Sequence, residues 1–171
     1  MRQGDSRVSS WPRVGLGTLV AGIADLVFAM GFWWISRDVP PMRILQSIAA
    51  GWYGEASFAG GVQTAGVGAL SHFALIFLFI AAYRQMAKRI AGLRHRPVAM
   101  GLVYGLFLYL LMNFVVLPLS AAGMASFRNV AWVGASIAMH AVIGILCARY
   151  ALAPRSPGNA GLATGPVRPQ A

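Results

Sequence analysis

Charge is scarce in this chain, and acidic charge is scarcest. Asp and Glu number four among 171 residues, and charged residues of both signs make up 11%. A soluble domain carries about 25%, so an ordinary water-facing surface is excluded. No stretch between the apolar runs is long enough to bury a core of its own, which excludes a separate solvent-facing domain. Cysteine is nearly missing too. The single Cys147 cannot close an intramolecular disulfide, and it rules out the thiol relay of four-helix quinone oxidoreductases, which needs cysteine pairs. Inside an apolar run it reads as a small buried hydrophobe. There is no Gly-rich phosphate loop and no nucleophile elbow. Gly101-xxx-Gly105 is a helix-packing motif, not a phosphate site. An enzyme is therefore not expected, and no motif calls for a cofactor.

What is present is apolar sequence, 58% of the chain, gathered into four runs: 14–35, 62–83, 98–119 (closed by Pro118) and 130–152. Each is near the ~20 residues that span a bilayer. Each is continuous rather than alternating, so the runs are helices and not barrel strands. The first run is too long for a signal peptide and ends in Gly31-Phe32-Trp33-Trp34-Ile35, a poor cleavage site. The expected fold is all-α: an integral membrane four-helix bundle over 14–152. A basic tail (1–13) precedes it, and a Pro-, Gly- and Arg-rich tail (153–171), expected to be disordered, follows it.

Orientation follows from the cations. Eleven of fourteen Lys and Arg fall on one side: in the two tails, at Arg149, and in the second connector with Arg84, Lys88, Arg89, Arg94 and Arg96. Arg37, Arg43 and Arg128 fall on the other. The positive-inside rule then places both termini in the cytoplasm. The net charge of +10 is explained by anionic lipid heads rather than nucleic acid, since no base-reading motif accompanies it. Trp33, Trp34, Trp52, Tyr53 and Trp132 should lie at the outer interface, and Trp11, Tyr83 and Tyr150 at the inner one.

The first connector holds a short helix starting at Pro41. Pro41, Ile44, Leu45 and Ile48 share a side, Arg43, Gln46 and Ser47 offer polar contacts, and Gly51 should end it. It is expected to lie on the outer surface or cap the bundle, with a re-entrant lid as the alternative. A flexible loop, 54–61, follows.

Three ionisable residues stand near the middle of three runs: Asp25, His72 and His140. A charge at that depth costs at least ~2.5–3.5 kcal/mol, so such groups face the protein interior and find partners. They also lie on stripes of small residues at four-residue spacing: Gly17, Ala21, Asp25, Ala29; Ser136, His140, Gly144; and Gly61, Ala65, Ala69 leading to His72. The third run carries Gly101, Gly105, Tyr109, Asn113. Counting from the helix ends puts Asp25, His72, Tyr109 and His140 at one level, with Asn113 a turn further out.

Such a layer supports several chemistries. An Asp–His pair takes up and releases protons near neutral pH, as proton-linked transport or sensing requires. Asp25, His72 and His140 are a plausible divalent-metal set with Glu55 as entry ligand, although no HxxxH or ExxH pair lies on one helix. Two histidines on different helices could be haem ligands. The bland alternative is interhelical glue, at about 0.6 kcal/mol per hydrogen bond. His95 lies in the basic connector, where it should be solvated.

The stretch GLVYGLFLYLLMNFVVLPLS (101–120), with Ser71-His72-Phe73 and His140, resembles the YagU-like family of bacterial inner-membrane proteins. The resemblance covers runs two to four, roughly half the chain, and not the Asp25 region, the outer connector or the C-terminal tail. It implies a four-helix protein of the bacterial inner membrane with a role in acid tolerance carried on His72 and His140. The leading expectation is therefore a small transport or pH-response protein using the Asp25–His72–His140 layer. The other class is a structural or accessory subunit whose polar layer only fixes packing. The expected partners are the lipid bilayer and either a second copy of the chain or a membrane partner protein.

Overall fold

The computed structural model describes residues 8–124 and 126–153. The disordered C-terminal tail expected over 153–171 lies outside them from residue 154 on, as does residues 1–7 of the basic N-terminal tail.

Four helices are long and apolar enough to cross a membrane: α1 (Trp11–Arg37), α3 (Gly61–Arg89), the stretch Pro97–Leu119, and α7 (Val130–Ala151). The third is not one continuous α-helix. It runs as α5 (Pro97–Leu111), a π turn (Met112–Val116) and α6 (Leu117–Leu119). Pro118 has no N–H to return to the preceding turn, which favours this wider winding. Prolines at the first turns of α1, α2 (Pro41–Tyr53) and α5 suit positions whose N–H would be orphaned anyway. Asn129 caps α7, its side-chain oxygen accepting the Trp132 N–H at 3.1 Å. α1 ends where Asp38 turns left-handed (φ 52°) and its N–H closes on the Trp34 carbonyl.

Side chains on the outside of the spans are large and apolar. Leu16, Leu19, Ile23 and Val27 on α1, Leu70 and Leu78 on α3, and Val103, Phe107 and Leu110 on α5 are all exposed. A belt of this extent is far beyond what a soluble monomer tolerates. The chain is a multi-pass membrane protein.

α7 is central, packing against α1, α3 and α5. Glycines set these approaches. A Cβ at Gly101, Gly105 or Gly144 would strike backbone of the facing helix, and one at Gly17 or Gly22 would strike Tyr150 or Phe73. The buried core lies in one half of the bundle. It comprises Val14 and Ala21, Ile76 to Ala87, Tyr104 and Leu108, and Ile143 to Leu152. This is the arginine-rich end, where Val8 pairs with Leu152 and the Ser9 N–H reaches the Ala151 carbonyl. Cys147 is fully buried there. Tyr104 joins α5 to α3 at this end, donating to the Phe79 carbonyl at 2.8 Å. Toward the other end, α3 and α5 diverge around an apolar groove of about 820 Å³ lined by Trp52, Ser71, Leu75, Met112 and Val116 among others.

Several sequence expectations are corrected. α1 begins at Trp11, so the basic tail does not extend to residue 13. α3 continues to Arg89, six residues past the apolar run, and a short helix α4 (Ala91–His95) follows where a connector was expected. His95 is exposed there, as expected. α2 (Pro41–Tyr53) ends at Gly54 (φ 57°) rather than Gly51. It does not float on the surface. Gln46, Ala49 and Ala50 are buried, and α2 crosses α3 so closely that Gly68 has no room for a Cβ beside the Leu45 carbonyl. Gln46 donates to the Gly61 carbonyl at 3.1 Å. The supposed flexible loop is a 3-10 helix, Gly54–Ala59, tied by the Thr64 hydroxyl to the Ser57 carbonyl at 2.6 Å.

Candidate functional site

Asp25 and His72 meet across α1 and α3. His72 Nε2 lies 3.1 Å from the Gly22 carbonyl and 3.9 Å from Asp25 Oδ2. The shorter distance is a hydrogen bond, so Nε2 carries a proton and donates it to Gly22. The longer one leaves the carboxylate beside the donor without a direct bond. The His72 side chain is 10% exposed and that of Asp25 24%. This is the only ion-pair contact among the described residues. The ring of His72 also stands edge-on to Phe73, at 5.6 Å.

Gly22 has a double part. Its carbonyl holds His72, and its lack of a side chain admits the Phe73 ring, which a Cβ would meet at about 2.5 Å. The α1–α3 approach that brings Asp25 to His72 therefore depends on a glycine one turn before Asp25.

His140 lies on α7 with its Nδ1 2.9 Å from the carbonyl of Ser136, one turn earlier. That bond makes Nδ1 the donor and leaves Nε2 as the acceptor in the neutral ring. Tyr109 of α5 stands edge-on to His140, ring centres 5.4 Å apart and planes at 85°. Asn113 lies on the π turn and donates to the Tyr109 carbonyl at 2.8 Å. Asp25 thus meets His72 between α1 and α3, Tyr109 meets His140 between α5 and α7, and Asn113 braces the backbone at Tyr109.

No protein-family model, curated protein or solved structure matches the chain.

The metal expectation meets no converging ligand set: among the described residues no three His, Cys, Asp or Glu side chains converge as a metal-ion set. His72 Nε2 donates to Gly22, so Nδ1 is the ring nitrogen of His72 that keeps a lone pair. Glu55, the expected entry ligand, lies on the 3-10 helix and lines a separate pocket at the end away from the arginine-rich one.

That end also holds an aromatic cluster which the sequence reading took for separate interfacial anchors. Trp132 of α7 packs against Phe28, Phe32 and Trp33 of α1, with ring centres 6.0, 5.0 and 5.2 Å away. Phe28 and Phe32 follow Asp25 by three and seven residues, and Trp132 precedes His140 by eight. The cluster therefore stacks over the polar layer, on the side away from the arginine-rich end. Spacing held the signal, since Phe28, Phe32 and Trp33 project near the Asp25 face. It did not name Trp132 as their partner.

Proposed function

We propose that the chain is a small proton-linked transport or pH-response protein in which the Asp25–His72 pair, with His140 beside it, takes up and releases a proton within the membrane. The observation that carries this is the position of His72 Nε2 between two acceptors, the Gly22 carbonyl and Asp25 Oδ2. A small rotation of the ring would transfer the donor from carbonyl to carboxylate. An added proton on Nδ1 would strengthen the attraction to Asp25 and favour that rotation. The surroundings support a one-sided site. Below the pair lies the packed core of the arginine-rich half; above it the helices part around a groove and a pocket. Proton entry is then from the open half.

By the positive-inside rule the arginine-rich end is cytoplasmic, so both termini face the cytoplasm and the open half faces outward. The resemblance to the YagU-like family, with its link to acid tolerance, points the same way and to a bacterial inner membrane.

A second reading has its own support. Both histidines spend a ring N–H on backbone carbonyls, Gly22 and Ser136, as residues that only fix packing would. Such a subunit acts through a partner protein or a second copy. Proteoliposomes with an internal pH dye separate the readings. Under an imposed acid gradient, Asp25→Asn and His72→Asn should each cut proton uptake at least tenfold with the unfolding midpoint unchanged. If the unaltered protein neither moves protons nor changes conformation between acid and neutral pH, the packing reading holds and the proton reading falls.

A further inference from the structure

A second pocket, of about 590 Å³, lies at the open end of the bundle. It falls within the ~300–1,000 Å³ usual for small-ligand sites. Its wall comes from four elements: Trp33 near the end of α1, Arg43 and Ser47 on α2, Glu55 and Phe58 on the 3-10 helix, and Trp132 at the start of α7. Two features set it apart from the apolar groove. It carries one charge of each sign, and three aromatic side chains line it, Trp33, Phe58 and Trp132.

The two charges do not neutralise each other. Asp25–His72 is the only pair within ion-pair distance among the described residues, so Arg43 and Glu55 line one cavity without meeting. The Arg43 guanidinium lies over the Phe58 ring, 4.9 Å from its centre. A cation–π contact of this kind holds the planar fork while leaving its edge N–H groups to donate. Trp33 and Trp132 are 5.2 Å apart and inclined at 49°. Trp132 is further held by Phe28 and Phe32, so this wall is pre-formed. Indole faces attract ammonium groups.

We propose that this pocket binds a zwitterion that carries an ammonium group and a phosphate or carboxylate. The anionic oxygens pair with Arg43, whose fork suits two-point contact with such groups. The ammonium lies between Glu55 and the indole faces. A plain anion would meet Glu55 and a plain cation would meet Arg43, so each is disfavoured by the charge that the zwitterion satisfies. The ligand comes either from a phosphatidylethanolamine headgroup, at whose depth the tryptophans sit, or from a free small zwitterion such as an amino acid. The site is distinct from the Asp25–His72 pair and does not depend on proton chemistry there.

The test uses the full chain in nanodiscs of phosphatidylglycerol alone. Phosphoethanolamine and glycine are titrated against inorganic phosphate and ethylammonium, with calorimetry and tryptophan emission as readouts. At least one zwitterion should saturate at a concentration tenfold or more below both single-charge controls. Arg43→Gln and Glu55→Gln should each weaken it at least tenfold; both side chains are exposed, and their unfolding midpoints should match the parent. In a second arm, discs contain phosphatidylethanolamine, and retained lipid is read by native mass spectrometry. Retention that falls in both variants, with loss of soluble binding, assigns the lipid source. Soluble binding that persists in those discs assigns the free one. The proposal is overturned if no zwitterion saturates and no phosphatidylethanolamine is retained, or if binding is the same in both variants as in the parent.

Discussion

Gly105→Ala should open the α5–α7 interface and with it the packed half of the bundle. A Cβ built at Gly105 lies 2.8 Å from both Ala141 Cα and the His140 carbonyl carbon, and closer still to the His140 oxygen. All three are backbone atoms of α7, so no side chain can rotate away. Ordinary carbon contacts fall at ~3.5–4.0 Å, so the helices must part by roughly 0.7 Å or more. A radial gap of ~0.5–1 Å forfeits a quarter to a half of each dispersion contact along the seam, and overpacking of this kind costs about 1–3 kcal/mol. Against that stands the gain from replacing glycine inside a helix, at most ~1 kcal/mol. Taking the middle of that cost, about 2 kcal/mol, the net is a destabilisation of about 1–2 kcal/mol, or roughly 5–30-fold in the population of opened molecules.

The chain supplies its own reporter. Cys147 lies on α7 in the core and is fully buried, so a thiol-reactive fluorophore labels it only when the bundle opens. Labelling through an opened state follows the population of that state when reclosing is fast. Gly105→Ala should therefore label roughly 5–30 times faster and melt earlier. Gly66→Ala is the matched control: it is also mid-helix, and its Cβ would meet nothing within 4 Å. It should label no faster than the parent. If Gly105→Ala behaves like Gly66→Ala, close backbone contact between α5 and α7 is not what holds this half together.

Two further outcomes test the open half. Gln46→Leu removes the bond to the Gly61 carbonyl, which keeps the Thr64 hydroxyl at 3.2 Å, so the loss is one hydrogen bond, about 0.5–1.5 kcal/mol; hydrogen exchange across α2 should rise while Cys147 labelling stays unchanged, and equal protection in α2 would refute the role of that bond. Trp132→Ala removes a ring with three aromatic neighbours, each such pair worth about 0.5–1.5 kcal/mol beyond burial; spin labels at Ser36→Cys and Ala131→Cys in a Cys147→Ala background should report a wider separation of α1 and α7, and an unchanged distance would show that the cluster does not hold them.

The four spans were legible because a bilayer imposes length and apolarity together. The stripes were legible because close helix contact needs small residues every fourth position. Gly101, Gly105 and Gly144 pack as that argument expects. What it cannot supply is the partner. Gly61, Ala65 and Ala69 were read as the contact line of the second span, yet the tightest approach is by Gly68, to α2. A stripe shows that something comes close, not which element does. The end of α3 was missed because its last turns carry Arg84, Lys88 and Arg89, which hydropathy reads as a connector. The helix continues because its backbone bonds do not depend on the bilayer, and Arg84 finds a place of its own, donating to the Ser9 carbonyl at 2.9 Å and lying over the Trp11 ring.

The site shows the same division. Depth counting brings Asp25, His72, Tyr109 and His140 to one level, and the structure pairs Asp25 with His72 and Tyr109 with His140. Counting could not foresee which atoms each ring would spend. His72 commits Nε2 to Gly22 and His140 commits Nδ1 to Ser136, so the two rings present different free nitrogens and are not equivalent. His140 keeps Nε2, the atom farther from its own backbone, as a proton acceptor; His72 keeps a donor that stands beside a carboxylate. In the proposed proton chemistry the two rings therefore have different parts: His72 turns its N–H between Gly22 and Asp25, and His140 offers a bare Nε2.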